Sequence, residues 1–391
     1  MNATGVVYLK ELRESLRDRR VLLNTFLIGP LLGPVLFIVL ISFITSRELE
    51  RAERPLPVAV SGAERAPNFV AALQQSGIEV RPAPPDAEEA VRRQRVELVL
   101  RIPDDFADDW NAGRVAQVEL LFDSSRREGG AAVERLRSAV RAYAARIGAL
   151  RLVMRGLSPA VSQPLVIAER DQATPQARGA LLFAMLPYML VFASFFGGMF
   201  LAIDATAGER ERQSLEPLLV NPVARGRILL GKVLAAASFS TCSVLISLVA
   251  FAIAARFLPT GRLDMTLDLG PRFVAQVLPV MLPLVFLVAV LQTLVSAFAK
   301  NFREAQTYLG ILQILPLIPS MILMLMPLKP QLWMYGVPLV GQQLVITQRL
   351  RDEPVGLPQL ALCFAVTAAA GWAMYRIARR VYDSERLAVS V

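Results

Sequence analysis

Chemistry needs nucleophiles, acids or metal ligands at set spacings, and this chain offers few. Its 391 residues include no histidine, which removes His-based triads, imidazole bases and His-ligated zinc together. The two cysteines, Cys242 and Cys363, both fall in apolar runs and read as small hydrophobes. Gly226 to Lys232 reads G-x-x-x-x-G-K, the opening of a phosphate-binding loop. The next residue is Val233, where Ser or Thr should hold magnesium. No strand pattern leads into it and an apolar run begins there, so its backbone amides are expected to be spent inside a helix. Glu88, Glu89 and Arg93 fit the E-E-x-x-x-R pattern of membrane-embedded glutamic proteases. Those enzymes also need histidine, so this match reads as a solvated helix face. The chain is expected to carry no catalytic residue and to bind no metal or cofactor itself.

What remains is a charged stretch between two apolar runs, DATAGERERQSLEPLLVNPVARGRILLGKVL, residues 204–234. Its middle predicts a short amphipathic helix. Leu215, Leu218 and Leu219 fall on one side and Glu209, Glu211 and Arg212 on the other, with Pro222 as the stop. Such a helix, held between two membrane spans, suits a docking surface better than a plain loop.

The elements that would hold this stretch are membrane spans. The chain is 54% hydrophobic and 19% charged, with mean hydropathy +0.46. The apolar residues are gathered into runs near the ~20 residues that cross a bilayer as helix. A first run covers 21–46, too long for a signal peptide and without a small-residue cleavage site. Further runs lie at about 180–204, 229–257, 273–299, 305–327 and 359–376, giving six spans. The stretch 331–348 is apolar but short and broken by Gly and Pro, and is expected to be re-entrant or interfacial. Residues 1–20 predict an amphipathic interfacial helix, with Leu9, Leu12 and Leu16 on one face among basic residues. Residues 47–178 alternate short apolar runs (LPVAV, GIEV, VELVLRI, VAQVELLF) with helix-like stretches, the pattern of a small α/β domain.

Charge sets the expected orientation. The net charge is +9, yet residues 47–178 balance 20 Arg against 19 Asp and Glu. The excess therefore flanks the spans, which argues against nucleic acid as a partner and for basic anchors on one side of a membrane. With both termini in the cytoplasm, the inner segments hold sixteen Lys and Arg and the short outer loops six. The α/β domain, expected at 47–178, then faces away from the cytoplasm, and the membrane is expected to be a cell inner membrane.

The stretch GERERQSLEPLLVNPVARGRILLGK resembles the loop after the second span in ABC type-2 membrane subunits, and most nearly that of the NatB-like permeases, a sodium-efflux type. The likeness extends to the plan of one span, a large external domain and five further spans. It implies an all-α membrane fold with six helices, an α/β extracytoplasmic insert, spans two to six within 179–391, and a coupling loop at 205–228. It implies that Glu209, Arg210, Glu211, Glu216, Leu218, Leu219, Pro222 and Lys232 serve coupling to a separate ABC ATPase, which carries ATP and Mg. It also implies a homodimer of permeases in the lipid bilayer, working in efflux. Members of the family often have Gly-Thr where this chain has Gln213-Ser214. A second expectation from another class is a membrane-anchored sensor or ligand-binding protein using the external domain. The coupling loop separates the two, because an anchor has no use for it.

Overall fold

The computed structural model describes residues 2–125, 129–162, 165, 170, 172–214, 223–257, 266–326 and 328–383. Its contacts divide the chain into two units, residues 1–43 with 172–391, and residues 44–171.

The first unit is helical. Helix α1, Ala3–Ser15, opens behind Asn2, whose side chain accepts from the Gly5 amide. A π-turn, Leu23–Ile28, leads into α2, Gly29–Glu53, which runs on into the second unit. After a short helix α7, Pro175–Leu182, come α8, Leu186–Ile203, and α9, Arg225–Ala255. Then follow α10, Pro271–Phe298, α11, Phe302–Leu312, α12, Leu317–Leu325, α13, Val340–Leu350, and α14, Leu357–Asp383.

Six helical segments among the described residues are long and apolar enough to cross a membrane: Leu23–Phe43, Leu186–Glu211, Arg225–Ala255, Pro271–Phe298, Phe302–Leu323 and Leu357–Asp383. Their burial is uneven. The second segment is 72% buried and forms the middle of the unit, whereas the first and fifth are 17% and 11% buried. Leu32, Leu36 and Leu40 on α2 and Ile311, Ile318 and Ile322 on α11 and α12 are exposed. In water a run of such side chains would be a liability. Against hydrocarbon it costs nothing, and this multi-pass chain is a membrane protein.

Two expected boundaries move. The second span begins at Leu186 and not near 180, because Pro175–Leu182 is a helix of its own that ends at Phe183. Pro187 lies in the first turn of the span, where a missing N–H costs no helix bond. The sixth runs to Asp383 and not 376. In the stretch expected to be re-entrant, Leu332–Gly336 is a 3₁₀ turn and α13 has 11 residues, about 16 Å of rise and too short to cross. Leu339 breaks it at φ 74°, a left-handed conformation uncommon for a leucine.

The second unit is an α/β fold with its own core. Strands β1 Leu56–Ser61, β2 Ile78–Pro82, β3 Leu98–Arg101 and β4 Glu119–Phe122 lie on the four apolar runs. They form one sheet in the order β2-β1-β3-β4, with β4 antiparallel and the rest parallel. Helices α3 Pro67–Gln75, α4 Ala87–Arg92, α5 Phe106–Asn111 and the long α6 Gly129–Met154 complete it. Val58, Leu73, Leu98, Leu100, Ile102 and Leu136 fill the core. On α6, Tyr143 stacks on Trp110 of α5, and the Arg151 guanidinium lies 4.5 Å above the Trp110 ring.

Candidate functional site

The site is built around Glu209, at the far end of the second span. Helix α8 does not stop at Ile203. It widens into a π-turn, Asp204–Gly208, in which the Glu209 amide donates to the Asp204 carbonyl, and then makes one more helical turn, Glu209–Glu211. A π-turn inserts one extra residue and so rotates everything after it by about a quarter turn or more. The rotation sends Glu209 inward, and Arg210 and Glu211 to a different neighbour.

Inward lies Lys232, on α9. Its ammonium is 1% exposed, and its three protons match three acceptors. They go to Glu209 Oε2 at 2.6 Å, Glu11 Oε1 at 2.9 Å and the Ala205 carbonyl at 2.7 Å. Lys10 approaches from the rim and donates to Glu209 Oε1 at 2.5 Å and to Glu11 at 3.2 Å, with Glu14 at 3.2 Å. Two lysines and two buried carboxylates thus form a quartet of zero net charge joining α1, the end of α8 and α9. Burial works against the charge on Lys10, but the hydrogen bond to Glu209 and the neighbouring carboxylates outweigh it and raise its pKa above the usual lysine value. A raised lysine contributes its stability below the unfolded value and loses it only as pH climbs through the folded one, so this pairing holds throughout the neutral range.

Helix α1 can lie this close because Gly231 has no side chain. A methyl carbon built there would sit 2.8 Å from Val7 Cβ and 2.9 Å from the Thr4 carbonyl. Tyr8 and Ser238 hydroxyls meet at 3.1 Å above it. The face of α1 that packs is Val7, Glu11 and Ser15, all buried. The leucine face expected to be interfacial is a different one: Leu9 and Leu16 are exposed, and Leu12 is partly buried.

Arg210 and Glu211 reach the corner between α10 and α11. Arg210 Nη1 donates to the Ala299 carbonyl, at the end of α10, at 3.0 Å. Glu211 Oε2 accepts from the Phe302 amide, at the start of α11, at 3.0 Å. A cation on a helix's last carbonyl and an anion on the first amide of the next both match the helix dipoles. Asn301 and Glu304 cap the same turn. On the other side Tyr375, on α14, donates to the Gly226 carbonyl at 2.8 Å.

The expected site residues divide accordingly. Glu209, Arg210, Glu211 and Lys232 are brought together at this joint. Glu209 was expected on the charged side of the amphipathic helix, opposite the leucines, and is 3% exposed, because the span's helix continues into it through the π-turn. The loop expected at 205–228 is shortened at both ends, since Asp204–Glu211 extends the second span and α9 begins at Arg225. Glu216, Leu218, Leu219 and Pro222 lie outside the described residues. Gln213 takes φ 56°, which suits a helix stop and the glycine common at that place in the family, not a helix start. Gly226 to Lys232 is helix throughout, and Lys232 is held by its carboxylates. Sequence reading missed Glu11 and Lys10. The signal was present: Val7, Glu11 and Ser15 repeat every four residues, placing an acid on an otherwise apolar-to-small stripe.

A membrane bundle whose second span ends in a charged joint points to a transporter subunit, and the sequence decides it. Residues 25–375 match the family model described as ABC-2 family transporter protein. The chain belongs to that family. It is also 27% identical over 318 residues to the protein named ABC transporter permease protein NatB from Bacillus subtilis (strain 168), covering 80% of this chain and 80% of that protein. The chain is therefore a membrane permease subunit of an ABC transporter and not itself an enzyme, and the family implies an ABC ATPase as its partner. In this permease the charged joint ties the segment before residues 215–222 to four of the membrane helices and to α1.

Proposed function

We propose that this permease is the membrane half of an exporter and that a separate ABC ATPase, holding ATP and Mg, drives it through the segment following Glu209. The observation that supports this is the joint itself. Helix α8 continues without a flexible break into Glu209–Glu211, and that turn is held by α1, α9 and the α10–α11 corner at once. A push on residues 209–222 from outside the bundle would therefore move several helices together, which a mere anchor does not need. In this reading Glu216, Leu218, Leu219 and Pro222 meet the ATPase, while Glu209, Arg210, Glu211 and Lys232 pass the displacement inward. Two permeases and two ATPases make the working unit, within the lipid of a cell inner membrane, with sodium the cargo that the family resemblance suggests.

Tagged permease drawn from its native membrane in mild detergent should bring down an ABC ATPase in equal amount, and inside-out vesicles should accumulate sodium only with ATP. A permease that purifies alone, in vesicles with no ATP-dependent uptake, would overturn the reading.

Orientation gives a second expected result. Both termini and the Glu209 joint are assigned to the cytoplasm and the α/β unit to the other side, from the distribution of Lys and Arg. A reporter active only outside the cytoplasm should work when fused after Ser125 and stay silent after Gln213. The opposite pattern would invert the topology and place the joint out of reach of any ATPase.

A further inference from the structure

The bundle interior holds a second polar group that the joint does not use. Ser240 and Ser243 stand one turn apart on α9, Gln292 and Ser296 one turn apart on α10, and all four are buried at 1% exposure or less. Gln292 donates from its amide nitrogen to the Phe195 carbonyl on α8. A carbonyl only accepts, so the amide must keep its nitrogen there and turn its oxygen away. Among the described residues that oxygen meets no donor, and the hydroxyls of Ser240, Ser243 and Ser296 meet no partner either.

The usual remedy for a hydroxyl in a buried helix is the carbonyl one turn back. Thr241 and Thr293, on the same two helices, take it at 2.8 and 2.7 Å. The three serines do not. A buried polar group without a partner costs about 1–3 kcal/mol, and in a membrane interior no solvent relieves it. Gly198 on α8 is what lets the Ser240 and Gln292 oxygens approach the same point of that helix. A methyl carbon built there would lie 2.6 Å from Ser240 Oγ and 3.3 Å from Gln292 Oε1. Its neighbour Gly197 would in the same way meet Ser243 Oγ at 3.0 Å.

We propose that Ser240 and Gln292 at Gly198 and Ser243 at Gly197, with Ser296 one turn along α10 from Gln292, form a binding step for a small monovalent cation between α8, α9 and α10. Every open atom is a neutral oxygen, three hydroxyls and one amide carbonyl. Neutral oxygens can replace part of the hydration shell of a singly charged ion while letting it leave again, the balance that conduction requires. There is no carboxylate among them, as a divalent ion would want. The hydroxyls can also donate, but no cationic group or free N–H stands among them to offset an anion's charge, and the Gln292 oxygen would face it. An apolar guest would leave all four oxygens as costly as before. The site deepens the export reading, because a cation held here would be on the path of the cargo. Binding itself rests on this geometry alone.

The test is thermal unfolding of the purified full-length permease in detergent, in lithium, sodium, potassium or choline chloride at fixed ionic strength. One of the small cations should raise the midpoint saturably over choline. Gln292→Met and Ser240→Ala should each weaken that cation's apparent affinity at least tenfold, while Thr241→Val, whose hydroxyl is already satisfied, keeps it. If no cation differs from choline, or if Ser240→Ala and Gln292→Met both keep the wild-type affinity, the proposal is wrong. Should Gln292→Met fail to fold, Ser240→Ala and Ser296→Ala carry the same decision. The measurement needs neither ATP nor ATPase. A permease that binds a cation yet exports nothing leaves the site standing and removes the export reading, and export without ion-specific binding does the reverse.

Discussion

Replacing Lys232 by methionine is expected to be among the most destabilising single changes in the helical unit. Methionine fits the length of the lysine stem, so packing survives, but the charge and three hydrogen bonds go. Glu11 and Glu209, each 3% exposed, would then face one another with only Lys10 between them and the Ala205 carbonyl left open. Removing one partner of a buried ion pair costs about 3–5 kcal/mol, because the remaining charge stays desolvated. The loss should show as a lower unfolding temperature in detergent and less folded protein in the membrane. The double variant Glu11→Met with Lys232→Met should recover part of it, since it also removes one stranded carboxylate. A single variant within about 0.5 kcal/mol of wild type, the range of ordinary surface substitutions, would mean the quartet does not hold α1 to the bundle.

The second large effect concerns coupling. Glu209→Gln keeps the shape of the side chain and can still accept from one lysine, so insertion in the membrane should be near normal. Yet the joint loses one of its two buried anions and leaves Glu11 as the one buried carboxylate for both lysines. We expect ATP hydrolysis by the assembled pair to continue while transport per ATP falls about tenfold, corresponding to about 1.4 kcal/mol of lost linkage between the two events. Leu218→Asp, in the segment assigned to the ATPase groove, should act differently and reduce co-purification of the ATPase itself. Glu216→Ala should resemble Leu218→Asp, and Glu211→Ala should be milder than either, because it loses a single capping bond at Phe302. The assay is hydrolysis and uptake measured together in proteoliposomes. Normal transport per ATP in Glu209→Gln, with normal transport in Leu218→Asp as well, would place the coupling element elsewhere.

These two results depend on different parts of what could be read beforehand. Six long apolar runs and four short ones are properties of composition and period, so the number of spans and the places of the strands were legible in the chain. Hydrocarbon leaves a helix no alternative to bonding its own backbone, and a run of about 20 apolar residues therefore announces itself. The charged stretch after the second run was equally visible, and its likeness to one family's loop pointed to the same end of the bundle where the structure places the joint.

What the chain alone did not determine is which way each polar residue turns. A regular helix places Glu209 and Glu211 on nearly opposite sides, and the π-turn at Asp204–Gly208 just before them sets which of the two turns into the bundle. The inward side is where Lys232 and Lys10 meet Glu209 from two other elements, contacts between residues 23 and 199 positions apart. The same holds for α1, where packing against Gly231 decides that Val7, Glu11 and Ser15 are the face that meets the bundle. Local pattern decides what kind of element forms, because backbone bonds and hydrophobic period act over a few residues. The partner of a buried charge, and the oxygens that stand beside Gly197 and Gly198, are decided only when distant helices meet, because the desolvation that makes those choices costly exists only in the packed bundle.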